Sequence, residues 1–65
     1  MKINDELIRT LLFRQRLTQK KLAELAGVSR ASVSAICNGK SCALETAAAI
    51  ADALGVTLDS IVIKR

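Results

Sequence analysis

The sequence contains no histidine, tryptophan, tyrosine or proline, and its single aromatic residue is Phe13. Without histidine, the commonest general acid–base group is missing, and so are the histidine-containing zinc sites. One aromatic side chain is no stacking platform for single-stranded nucleic acid. Nothing in the chain pairs a nucleophile with a base, so an enzyme is not expected. Cys37 and Cys42 are the only cysteines, at a spacing that fits no common zinc pattern, with no further ligand-grade partners evident. They are expected to be reduced thiols acting as small apolar residues, with a local disulfide or redox switch as the alternative. No metal, cofactor or small-molecule ligand is implied. No uncharged apolar run approaches the roughly 20 residues that cross a bilayer, and Met1-Lys2-Ile3-Asn4-Asp5-Glu6 is no signal-peptide pattern. The expectation is a soluble, cytoplasmic protein with no membrane role.

What is present is small, apolar and basic. The 65 residues allow one small domain, expected to span 1–65. Hydrophobic residues make up 51%, but ten of them are alanine and bury little area each. A core of this size supplies on the order of 3–5 kcal/mol of net stability, which dimerisation would supplement. The net charge of +4 is unevenly spread. Arg9, Arg14, Arg16, Lys20, Lys21, Arg30 and Lys40 stand against one acid, Glu24, whereas residues 41–63 carry Glu45, Asp52 and Asp59 and no base. One basic half and one acidic half suggest a polyanion on one side, with ordinary solvated charge as the alternative.

The apolar pattern is helical nearly throughout. Leu7, Ile8, Leu11 and Leu12 make one stripe, with Asn4 as cap and Asp5 and Glu6 facing the dipole, in a helix ending near Gln15. Three later starts share one grammar: Thr18, Ser29 and Thr57 each put a hydroxyl at the N-cap, flanked by apolar pairs that can close as staples. They predict helices beginning at Gln19, Arg30 and Leu58, and Gly27, Gly39 and Gly55 mark the stops. Between Ala43 and Leu54 lies an alanine-rich helix with a poor cap. Ile61-Val62-Ile63-Lys64-Arg65 can leave the last helix as a short strand and pair antiparallel with Met1-Lys2-Ile3, although such a ribbon is marginal alone.

The stretch from Gln19 to Asn38 carries the functional signal. A helix over 19–26 meets the tight Gly27-Val28-Ser29 turn and then a second helix from Arg30. Ala23 stands at the crossing, where a larger side chain would push the helices apart, and Leu22, Ala26, Val28, Val33 and Ile36 form the inward face. This is a helix-turn-helix over 19–38, whose second helix is free to protrude.

Leu17-Thr18-Gln19-Lys20-Lys21-Leu22-Ala23, Ala26-Gly27-Val28-Ser29, Asn38-Gly39-Lys40 and Ala51-Asp52-Ala53-Leu54-Gly55-Val56 stand in the order and spacing of the phage repressor/Cro (XRE) family. The chain resembles that family from about Leu7 to Ile61. The resemblance implies an all-α fold: a compact bundle of five short helices around a central helix-turn-helix, as in lambda repressor-like DNA-binding domains. Two departures stand out. Leu12 and Cys37 occupy positions where many members place a buried Arg–Glu pair, an exchange that apolar residues make without loss of stability. The loop Lys40-Ser41-Cys42-Ala43 lacks the family's frequent proline.

The resemblance further implies that the helix from Arg30 enters the major groove of double-stranded DNA. Its base-reading candidates are Ser29, Arg30, Ala31, Ser34 and Ala35. Arg30 leads, because a guanidinium matches guanine O6 and N7, while the alanines offer only contact to a thymine methyl. Gln19, Lys20, Arg14, Arg16, Asn38 and Lys40 are candidates for the phosphates. A Cro-like homodimer on a palindromic operator is implied, with Val56, Leu58, Ile61 and Ile63 as the interface, or alternatively as closure of the monomer core. The rival function is an antitoxin or adaptor using the same fold for protein–protein contact.

Overall fold

A computed structural model describes residues 1–63. Five helices follow in order: α1 (Asp5–Arg14), α2 (Gln19–Ala26), α3 (Arg30–Cys37), α4 (Leu44–Leu54) and α5 (Leu58–Ile61). The all-α expectation holds, including the start of α1, α2, α3 and α5 at the residue after each capping position.

Local chemistry sets these boundaries. Asn4 Oδ1 accepts from Leu7 N at 3.1 Å, Thr18 Oγ1 from Lys21 N at 3.0 Å, and Ser29 Oγ from Ser32 N at 3.1 Å. Each satisfies one orphan donor of its helix. The expected cap of α5 is different: the Thr57 hydroxyl makes no cap bond, and its carbonyl instead accepts from Ser60 Oγ at 2.7 Å. Ala43 leaves α4 uncapped by a side chain, as its chemistry requires. The far ends of α1 to α4 close alike. Leu17 N, Val28 N, Lys40 N and Val56 N each donate to the carbonyl five residues back, at 2.8–3.1 Å, around a residue of positive φ. Glycine fills that position in three cases, but after α1 it is Arg16, at φ 55°. The sequence places the end of α1 near Gln15, as observed, but does not show that Arg16 takes the position glycine fills elsewhere.

The helices pack apolar faces together. α2 lies against α3 and α4, α1 against α3, and α5 against α4. Ala23 is 6% exposed and belongs with Leu22 to the buried face of α2, the helix that packs against both α3 and α4. Leu22, Val33, Ile36 and Ile50 are the largest buried side chains of the inner helices. No helix among the described residues is long and apolar enough to cross a membrane.

The terminal ribbon is shorter than the sequence suggests. It is one antiparallel bridge, Ile3 to Val62, because Ile61 stays in α5; Lys64 and Arg65 lie outside the described residues. Neighbouring backbone bonds support the bridge: Asn4 N to Ile61 O at 2.7 Å, Ile63 N to Lys2 O at 3.0 Å, and Cys42 N to Met1 O at 2.9 Å. The N-terminal segment is therefore held between the α3–α4 loop and the segment after α5.

Candidate nucleic-acid interface

α3 has two faces. Val33, Ile36 and Cys37 are buried, whereas Ser29, Arg30 and Ala31 are exposed and Ser34 and Ala35 half-buried. Positions 30, 31, 34 and 35 share one side of a helix, so these candidates form a single surface. Ser29 is partly committed: besides capping Ser32 N, its hydroxyl lies 2.9 Å from Ser32 Oγ. Ser32, which sequence reasoning passed over, thus holds Ser29 in place. Arg30 makes no ion pair among the described residues and keeps its full set of donors.

The end of α3 continues this surface. Asn38 Nδ2 donates to Ser34 O at 2.8 Å, which fixes the side chain and leaves its second amide hydrogen to face outward contacts. Lys40 is exposed just beyond, with its backbone tied to Ala35 O at 3.0 Å. The remaining phosphate candidates gather elsewhere. Arg14 and Arg16 border a groove at the α1–α2 turn together with Thr18, next to exposed Gln19 and Lys20 at the start of α2. The first backbone N–H groups of α2 point out of the helix there and favour an anion. Lys21 is 4.0 Å from Glu24 and partly neutralised.

Arg9 belongs to neither group, although it counts among the basic half. Its Nη1 donates to Asp5 Oδ2 at 2.8 Å and to Cys37 O at 2.7 Å. A guanidinium thus sits on the last carbonyl of α3, where the helix dipole favours positive charge. At the positions where relatives place a buried Arg–Glu pair, Leu12 and Cys37 are both buried. α1 and the end of α3 are tied instead through Arg9, three residues before Leu12. The Asp5–Arg9 spacing was readable as a helical pair, but the carbonyl it reaches was not.

Both cysteines are free thiols, Cys37 buried and Cys42 half-buried. Burial pushes the Cys37 thiol above its ordinary pKa, opposed by the Arg9 charge and reinforced by Asp5. Burial also raises Cys42, against the pull of the N-terminal ammonium. Protonated thiols behave as small apolar groups, which matches the sequence expectation for Cys37 better than for Cys42.

One assigned interface residue is corrected. Ile61 is 0% exposed and closes the monomer core, so it has no surface to offer a second subunit. Val56 and Leu58 are half-buried and Ile63 is 37% exposed.

A family model described as helix-turn-helix matches residues 8–61. Among solved structures, the chain is similar to Streptomyces albus HEPD, determined with 2-hydroxyethylphosphonate and Fe(II) bound. The likeness has a TM-score of 0.77 at 24% identity and covers 86% of this chain but only 13% of the other. At that identity it concerns the fold alone. No curated protein sequence matches the chain.

Proposed function

Because the chain belongs to the helix-turn-helix family of the Cro/XRE kind, a DNA-binding regulatory domain rather than an enzymatic one, we propose that it is a repressor binding a palindromic operator as a homodimer. The observation that carries this reading is the face of α3: five exposed or half-buried positions over a sealed apolar back. With α3 in the major groove, Arg30 pairs with guanine O6 and N7, and Ala31 and Ala35 approach thymine methyl groups. Ser29 and Ser34 contribute short hydroxyl contacts. So few long polar readers leave part of the selectivity to duplex shape.

Gln19, Lys20, Arg14, Arg16, Asn38 and Lys40 set the register on the phosphates. Four of these are cationic. If each neutralises one phosphate, log K falls against log salt with a slope of about −4 per subunit. A single domain of this size makes too few contacts for tight selection, so two copies on half-sites about 34 Å apart are part of the proposal. Val56, Leu58 and Ile63 supply the two-fold contact. The unit proposed spans 1–65, with no cofactor, and occluding a promoter is its mode of action.

Selection from random duplexes by the wild type and by Arg30→Ala tests this. The wild type should return a palindrome, and the variant should lose preference at one base pair per half-site, about 1–3 kcal/mol of discrimination. No enriched sequence, or an unchanged preference in the variant, overturns the reading. The antitoxin or adaptor alternative draws on one feature, the exposed Phe13. It requires partner binding with little salt dependence, which the same titration separates from a steep slope.

A further inference from the structure

Phe13, the sole aromatic residue, is 85% exposed. Beside it a groove of about 550 Å³ opens at the α1–α2 turn. Its lining combines buried Leu12 and half-buried Leu17 with Phe13, Arg14, Arg16 and Thr18. Neither arginine has an ion-pair partner among the described residues. An apolar floor with an unneutralised basic rim calls for an apolar knob with carboxylates beside it.

The chain carries such a knob. Leu44, Glu45, Ala48 and Asp52 of α4 are all exposed, Leu44 by 57%. On a helix these four fall within an arc of about 100°, making one ridge with Leu44 and Ala48 along one edge and Asp52 and Glu45 along the other. Neither carboxylate has an ion-pair partner among the described residues.

We propose that the α1–α2 groove receives the α4 ridge of a second copy, head to tail. Leu44 seats against Leu12 and Leu17 beside Phe13, and Glu45 and Asp52 face Arg14 and Arg16. Complementary charge selects a second copy as the occupant: groove and ridge lie on the same chain, and both remain exposed within it. The contact is heterologous, so each added copy presents a fresh groove and a fresh ridge, unlike the two-fold surface at Val56, Leu58 and Ile63. Its small area and exposed charges make it transient and salt-sensitive. Arg14 and Arg16 are also the groups offered to phosphate, so duplex and second copy compete for them; this last clause alone rests on the operator reading.

Sedimentation velocity on the full chain without DNA, at low and high salt, tests the contact. In low salt the average mass should grow with concentration beyond a dimer, and high salt should reverse the growth. Phe13→Ala and Glu45→Arg, both at exposed positions, should each weaken this association roughly tenfold. The double variant Arg16→Glu/Glu45→Arg should recover most of the loss that Glu45→Arg alone causes. No mass beyond a dimer in low salt overturns the proposal. So does growth that neither single variant weakens, or a double variant no better than Glu45→Arg alone. Operator duplex added to the wild-type assembly should disperse it. Assembly that persists with duplex bound overturns the shared use of Arg14 and Arg16. A protein that assembles as described yet binds no duplex supports the contact and overturns the operator reading.

Discussion

Arg16 adopts φ 55° because α1 ends in the same hydrogen-bonded turn that glycines make after α2, α3 and α4. For a side chain with a Cβ this conformation costs roughly 1–2 kcal/mol. Glycine avoids that strain but loses about 0.5–1 kcal/mol more backbone entropy on folding. The balance favours Arg16→Gly by up to about 1.5 kcal/mol, and each kcal/mol raises Tm by about 4–8 °C for a domain of this size. The same change removes a cation from the α1–α2 turn, so it should weaken duplex binding and flatten the salt slope by about one. Thermal melts and gel shifts at two salt concentrations read the two effects together. A fall in Tm would show that the turn does not strain the arginine. The residue thus trades stability for charge, and a sequence shows the charge without the strain.

Helix starts were legible because capping is local. A hydroxyl three residues before a free N–H needs no distant partner, and Thr18 and Ser29 accept as their positions require. Thr57 has the same sequence grammar and does not cap; α5 is only four residues long and its first turn is held through the Thr57 carbonyl. Thr18→Ala should therefore cost about 0.5–2 kcal/mol, whereas Thr57→Ala should be nearly silent. Equal losses in denaturant titrations would mean that the Thr57 hydroxyl works through a contact other than the cap. Long-range ties were the illegible part. Arg9 reaching Cys37 O spans 28 residues, and Gln15 Nε2 reaching Leu54 O at 2.9 Å spans 39. Both join the end of one helix to another and depend on how the helices meet, which periodicity alone does not specify. The exposed face of α3 was legible for the opposite reason, since one amphipathic helix defines its own inside and outside.

At the scale of the whole molecule, the acidic C-terminal part closes a small core and, under the proposed two-fold dimer, also presents a surface for a second subunit. Sequence pattern could not divide Val56, Leu58, Ile61 and Ile63 between them, because all are apolar and sit at helical or extended spacing. Burial divides them: Ile61 is enclosed, while Ile63 is 37% exposed. Ile61→Ala should remove about 2–5 kcal/mol. Set against a net stability on the order of 3–5 kcal/mol, that is enough to unfold much of the protein. Ile63→Ser lies outside the core and should leave the monomer melt almost unchanged. Its effect should fall on assembly: weaker two-fold association, and a loss of affinity for a full palindrome but not for an isolated half-site. Sedimentation equilibrium together with titrations of both duplexes distinguishes the cases. If Ile63→Ser retains full affinity for the palindrome and the wild-type dimer mass, the two-fold contact lies elsewhere. If half-site and palindrome binding fall together, Ile63 acts through the fold and its bond to Lys2 O rather than through a partner.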